Sequence, residues 1–168
     1  MRLILILLAA CAVAHPARAQ DEERKALPDP KFYRLDFVLK ELEAGKVTSS
    51  RTYSMNISPT QPFQTSSIRT GNNVLVPTGG ENSFNSVNLN VNLDCRATKG
   101  TDTSLMLSVT ADITTLIPTA TPGLPVTNRN SWNVGATLQL RKATTLVSAD
   151  GATNKRQMQL EVTATPLQ

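Results

Sequence analysis

The residues able to do chemistry are few, and their spacing is poor for it. His15 is the single histidine, and it falls inside an N-terminal segment that reads as a leader to be removed. A mature chain without histidine cannot build a Ser-His-Asp arrangement, a Cys-His pair or a His-ligated zinc site. The two cysteines are Cys11 and Cys95, and one remaining thiol makes neither a thiolate metal site nor a redox pair. No glycine-rich phosphate loop or calcium loop is present in the sequence. Carboxylates remain: Glu41 and Glu43 could share a side, and Asp94 neighbours Cys95. Paired carboxylates are the equipment of a glycosidase. Such clefts are usually lined with aromatic rings, and this chain has one Trp, two Tyr and four Phe. The expectation is a protein that is not an enzyme, with no catalytic, metal or cofactor-binding residues. Trp132 could stack on a ligand, although a core or rim position is the simpler reading. Asn56-Ile57-Ser58 matches a glycosylation acceptor, but Pro59 follows it and the match carries no weight.

The leader is "MRLILILLAACAVAHPARAQ". Arg2 starts it, Leu3 to Val13 form its apolar centre, and Ala17-Arg18-Ala19 is a small-x-small site before Gln20. That is the pattern of a secretory signal cleaved between Ala19 and Gln20. The apolar run is short of the roughly 20 residues a membrane span needs, and no later run approaches that length. Leu8-Ala9-Ala10-Cys11 also fits a lipoprotein signal, with Cys11 carrying a lipid tether. The apolar stretch before Cys11 is short for that, which favours release. The chain divides into a signal peptide (1–19), a flexible polar lead-in (20–31) and a single β-domain (32–168). An exported protein follows, periplasmic or extracellular, with outer-membrane association left open.

Export also changes the charge. There are 17 Lys and Arg against 13 Asp and Glu, a formal +4, and removing Arg2 and Arg18 lowers it by two. The remaining basic residues are scattered, with short pairs such as Arg141-Lys142 and Lys155-Arg156. Nucleic-acid binding needs clusters, so it is not expected.

Thr, Ser, Asn, Val and Leu with many turn residues dominate after Phe32, a texture that predicts an all-β domain. Two readings compete over the first element. Asp29-Pro30 and Gly45 could bound a helix striped by Phe32, Leu35, Leu39 and Leu42. Tyr33, Leu35, Phe37 and Leu39 also alternate, as do Val47 to Ile57. A hairpin is chosen, with Glu43-Ala44-Gly45 as its loop and Gly45 left-handed. It pairs Leu42 with Lys46, Leu35 with Tyr53 and Tyr33 with Met55. Further strands are expected at Ser66–Thr70 and Asn73–Pro77 on either side of Gly71-Asn72. Ser86–Arg96, Thr103–Thr115, Ser131–Arg141, Thr144–Ser148 and Lys155–Thr165 follow. Loops fall at Thr78–Ser83, Leu116–Pro125 and Ala149–Asn154. The sum is a single antiparallel β-sandwich or partly closed barrel of about nine strands.

One strand raises a question of its own. In "SVNLNVNLDC" Val87, Leu89, Val91 and Leu93 share a face, and Asn88, Asn90 and Asn92 share the other. Asn is a poor strand former. That polar face could meet water, a lumen, or another copy of the chain, and Asn88, Asn90 and Asn92 are the candidate interface. Cys95 has the apolar parity and reads as a small buried hydrophobe. An intermolecular disulfide is its sharper alternative.

From Glu41 onward the order of motifs resembles the C-terminal β-domain of bacterial secretins. "LEAGKVTSSRTYSM" (Leu42 to Met55) is similar to the segment that enters that domain. "SIRTGNNVLVPTG" carries Ile68, Gly71, Val76, Pro77, Thr78 and Gly79 at matching positions. "VNLNVNLDCR" and "SLMLSVTADIT" resemble the following long strand pair. "PVTNRNSWNVGATLQLRKATTLVS" is similar to the stretch with a Pro, an Arg and a last hairpin. The chain also resembles small secreted bacterial proteins with this pattern alone. The usual Gly-Leu ending of the last hairpin is replaced by "SADGATNKRQMQLEVTATP", and the sequence has no room for a gate insertion. The resemblance implies a related β-fold and a non-catalytic part of an envelope, secretion or pilus-type assembly. A protein partner or self-association follows from it. The alternative is a monomeric secreted sandwich that binds a glycan or peptide through the three loops, with Trp132 nearby.

Overall fold

A computed structural model describes residues 31–60, 64–77, 83–117, 126–150 and 156–167. The expected signal, the cleavage site Ala19-Gln20, Cys11 and nearly all of the lead-in lie outside the described residues. Eight strands are described: β1 (Phe32–Glu43), β2 (Lys46–Ile57), β3 (Ser66–Pro77), β4 (Phe84–Gly100), β5 (Ser104–Ile117), β6 (Val126–Gln139), β7 (Thr144–Asp150) and β8 (Arg156–Leu167). They form two antiparallel sheets of four, ordered β2-β1-β8-β7 and β3-β4-β5-β6. The architecture is a two-sheet sandwich, as period-2 alternation without helical stretches requires. No helix among the described residues is long and apolar enough to cross a membrane.

The core follows from parity. Tyr33, Leu35, Phe37 and Leu39 of β1 and Met158, Leu160, Val162 and Ala164 of β8 are buried. They meet Val91, Leu93, Cys95 and Ala97 of β4 and Leu105, Leu107, Val109, Ala111 and Ile113 of β5. Each large side chain among them contributes about 1.5–3 kcal/mol by leaving water. Cys95 is fully buried, and desolvation first, with Asp94 adding to it, pushes its thiol up to about 12. A thiol so placed reaches no other chain without opening the sandwich, so its buried reading holds and the intermolecular disulfide does not.

The first element is a strand, and its hairpin differs from the expected one in register. The turn has two residues, Ala44 and Gly45, with φ of 49° and 79°, so both central residues are left-handed as a primed turn demands. Glu43 pairs with Lys46, and the β2 strand then bulges at Thr48, so that Leu42 faces Val47 and Glu41 faces Ser49. Leu35 consequently pairs with Met55 and Tyr33 with Ile57. The offset is two residues from the expected pairing, which leaves the side chains from Ser49 to Ile57 on their expected faces; between the bulge and the turn Lys46 and Val47 change sides, and Val47 is exposed.

Gly71-Asn72 is not a turn. β3 runs straight through it, with Gly71 opposite Asn90 and Asn72 opposite Leu89. The two short strands are therefore one, and the count is eight instead of nine among the described residues. A turn was expected because Gly-Asn punctuates chains locally. Twelve consecutive pairings with β4 outweigh that signal. Likewise β6 begins at Val126, five residues before the expected start, because β5 offers a partner as far as Ile117.

The lower end of the sandwich is closed. The Tyr33 hydroxyl donates to the Thr101 carbonyl at 3.2 Å. Ser58 Oγ donates to the Lys31 carbonyl at 2.9 Å, and Lys31 Nζ reaches Asp102 at 2.6 Å. Gly100 sits beneath the Tyr33 ring: a Cβ there would lie 2.7 Å from the Tyr33 hydroxyl and 3.1 Å from Pro59 Cγ.

Candidate functional site

The strand connections β1–β2, β3–β4, β5–β6 and β7–β8 all fall at the upper end, opposite the Tyr33 closure. The strand ends that flank the three loops singled out in the sequence therefore lie at one end. Residues 78–82, 118–125 and 151–155 themselves lie outside the described residues. Trp132 is not with them. It lies on the inter-sheet side of β6, opposite Ala111, half-buried and packed against the core. It stands six residues below Val126, about 20 Å along the strand. Its position is that of a core-rim aromatic.

Asn88, Asn90 and Asn92 point to the outer face of the β3-β4-β5-β6 sheet. Asn88 is exposed and the other two are half-buried. Asn73, Gly71 and Arg69 stand opposite them on β3, and Asp112 stands opposite Asn92 on β5. Gly71 leaves the space that Asn88 leans over, since a Cβ there would lie 3.4 Å from Asn88 Oδ1. Two ion pairs flank the amides. Arg69 donates twice to Asp94, at 2.7 and 2.9 Å, and Ser67 Oγ adds a bond to the same carboxylate at 2.5 Å. Arg129 forks onto Asp112, with Nε at 2.9 Å. The Ser67 hydroxyl, and then Arg69, hold the Asp94 carboxyl below its ordinary value. Arg129 does the same for Asp112. These carboxylates stay ionised, the opposite of what a general acid requires. The face around the three amides is polar, and the exposed Leu75 and Phe84 border it at the upper end.

The edges of the two sheets are built differently. The outermost strands of the β2-β1-β8-β7 sheet are interrupted: β2 bulges at Thr48 and carries Lys46 and Arg51, and β7 is seven residues long with a bulge at Leu146. In the other sheet, β3 and β6 pair with their neighbours without a break over 12 and 14 residues. Neither carries a lysine, and Pro77 ends β3. The single arginine on each is drawn onto the sheet face by Asp94 or Asp112. At the upper end the β3–β4 hairpin exposes Leu75 (67 %) and Phe84 (56 %).

The same end also holds polar groups where core residues would continue. On β1 the buried series Tyr33, Leu35, Phe37, Leu39 gives way to Glu41. Arg156 follows Met158 on β8, and Asn130 and Asn128 follow Trp132 on β6. Thr115 follows Ile113 on β5. Glu41, Thr115, Asn128, Asn130, Arg156, Gln157, Met158 and Ile117 line a cavity of about 50 Å³ between the sheets. Glu41 is held by Arg51 at 3.3 Å. The carboxylates Glu41 and Glu43 are thus not a catalytic couple: one is in an ion pair and the other is exposed on the turn. Among the described residues no group of three or more His, Cys, Asp or Glu could hold a metal ion. The sequence reading missed this mouth. Its signal was present as apolar parity that stops at the same level on four strands.

No protein-family model matches the chain, and no curated protein matches it. Among solved structures it is similar to the β-barrel of the secretin domain of InvG, from the NC-base of the Salmonella SPI-1 injectisome. The identity is 7 % and the TM-score 0.45; the likeness covers 83 % of this chain and 62 % of that one. The chain thus spans less than two thirds of its length. What the strands themselves define is an all-β antiparallel sandwich of two four-stranded sheets.

Proposed function

We propose that the protein is a non-catalytic exported β-domain that acts in an envelope assembly, pairing with further copies or partner strands through the edges of the β3-β4-β5-β6 sheet. The observation that carries this is the contrast between the edges. An open strand edge invites pairing, and folded proteins blunt it with bulges, lysines or shortness. Here one sheet has bulges and lysine or shortness on both edges, while the other has neither a bulge nor a lysine on either edge, and its one edge proline, Pro77, sits at the end of β3. Strand addition satisfies the free backbone groups of β3 and β6 and continues the polar face that bears Asn88, Asn90 and Asn92. Those three amides lie on β4, one strand in from the β3 edge, so they would lie on the continued face and not against their equivalents. The motif order described above, from Ile68 to Gly79 and through the Asn-bearing strand, points the same way.

Light scattering on the chain from Gln20 to Gln168 tests the reading. A discrete oligomer is expected, unchanged by reductant because Cys95 is buried. Thr70→Lys with Asn72→Lys places two charges on the inner side of the exposed β3 edge and shifts the mass toward monomer. A strictly monomeric protein that captures no partner strand sinks the proposal.

A further inference from the structure

We infer that the lower end of the sandwich is a docking surface for anionic lipid headgroups. The inference does not rest on edge pairing, which uses the sides of a sheet and leaves its ends free. The charge balance singles out this end. Lys31, Arg34, Lys40, Arg51, Arg69 and Arg129 each have a carboxylate partner. At the upper end Lys46 and Arg156 both stand opposite Glu43, and Asp150 stands opposite Gln157, so acids and cations balance there. That leaves Arg96, Lys99, Arg141 and Lys142, which are exposed and whose side chains have no hydrogen bond or ion pair among the described residues. Lys99 lies next to the last residue of β4, and Arg141 and Lys142 follow β6 in the β6–β7 turn. Arg96 stands three residues above Lys99 on the outer flank, about 10 Å away. Hydrogen bonds tie these turns to one end: Leu140 N donates to the Thr103 carbonyl at 3.0 Å, and Arg141 N to the Ala164 carbonyl at 2.7 Å. Arg141 has a φ of 63°, a conformation that residues other than glycine adopt rarely. The turn thus keeps a cation where glycine would be less strained.

Among the described residues no carboxylate answers these cations. Asp36 and Asp102 at this end are held by Arg34 and Lys31. Asp94, two residues before Arg96, is held by Arg69 and Ser67. Residues 20–30 carry Asp21, Glu22, Glu23 and Asp29 against Arg24 and Lys25; counted in full against this end, they leave it positive. Residues 61–63 carry no charge. Clusters of about four or more Lys and Arg hold anionic lipid surfaces, at about fivefold in affinity for each cation. The neighbouring surface selects a lipid over a soluble anion. Phe32 and Leu167 pair at this end and are 44 % and 40 % exposed, and Leu167 follows shortly after the Ala164 that Arg141 binds. Apolar side chains beside cations enter the acyl boundary while the charged heads stay at the phosphates.

The test is co-sedimentation of the Gln20 to Gln168 chain, whose terminal amine and carboxylate offset each other, with vesicles. One set mixes phosphatidylglycerol with phosphatidylcholine, and the other is phosphatidylcholine alone. Binding to the anionic vesicles only is expected, falling away between about 0.05 and 0.5 M salt. Arg141→Gly should weaken it about fivefold with no loss of thermal stability, because glycine suits the left-handed turn. Lys99→Gln with Lys142→Gln should weaken it about 25-fold. Lys46→Gln, at the upper end, should leave it unchanged. Phe32→Ser should weaken binding to vesicles and not binding to soluble polyglutamate. No binding to anionic vesicles, or equal weakening by Lys46→Gln, would overturn the assignment. So would polyglutamate binding as tight as vesicle binding with no effect of Phe32→Ser, which would point to an acidic protein instead. Oligomer mass is measured separately, so failure here leaves the edge-pairing proposal standing.

Discussion

The two ends of the sandwich are made by the same strands and enclose the same inter-sheet space, yet among the described residues one is sealed by Tyr33 and the other is lined by polar side chains. At the lower end the Tyr33 ring covers the gap, Gly100 makes room for it, and Ser58, Lys31, Asp102 and Thr101 tie the chain across. At the upper end Glu41, Arg156, Asn128 and Asn130 occupy the positions where apolar side chains would continue the core. The difference teaches where apolar burial stops. Apolar burial fixes the middle and the bottom. At the top polar side chains replace the core series, and Leu75 and Phe84 are exposed there.

That division can be broken with single substitutions. The largest effect is expected in the sealed part. Phe37 is fully buried between the sheets, and Phe37→Ala should cost about 3–5 kcal/mol in denaturant unfolding, through lost burial and the cavity left behind. A loss below about 1 kcal/mol would mean that the core is not packed as described. Next comes Gly100→Ala. Its methyl would meet the Tyr33 hydroxyl at 2.7 Å, so the ring must move and the closure weaken, at about 1–3 kcal/mol. Unchanged thermal stability would show that Tyr33 does not close this end. The smallest effect belongs to the mouth. Glu41→Gln removes one partner of a pair whose side chains are partly solvated, and equilibrium unfolding should change by less than about 1 kcal/mol. A loss comparable to that of Phe37→Ala would contradict the division and make the upper end structural.

Much of the fold is legible in the alternation. The core of β1, β4, β5 and β8 can be read residue by residue from parity, because a strand with one buried face repeats every second residue. The left-handed Gly45 is legible for the same local reason. The register of the first hairpin is not, since a two-residue turn plus a bulge at Thr48 and a three-residue loop place the same faces inward. Gly71-Asn72 misleads because turn chemistry is local, whereas the pairing that keeps it extended comes from β4.

The candidate site divides in the same way. The Asn face and the inward-facing Cys95 are stated by the sequence alone, since parity along one strand assigns them. Tertiary structure decided the rest. It brought Glu41, Thr115, Asn130 and Arg156 together across two sheets, placed Trp132 against the core on the inter-sheet side of β6, and left β3 and β6 as edge strands without a bulge or a lysine. Those facts depend on strand order, and strand order is fixed by which faces bury one another. No single strand carries that information.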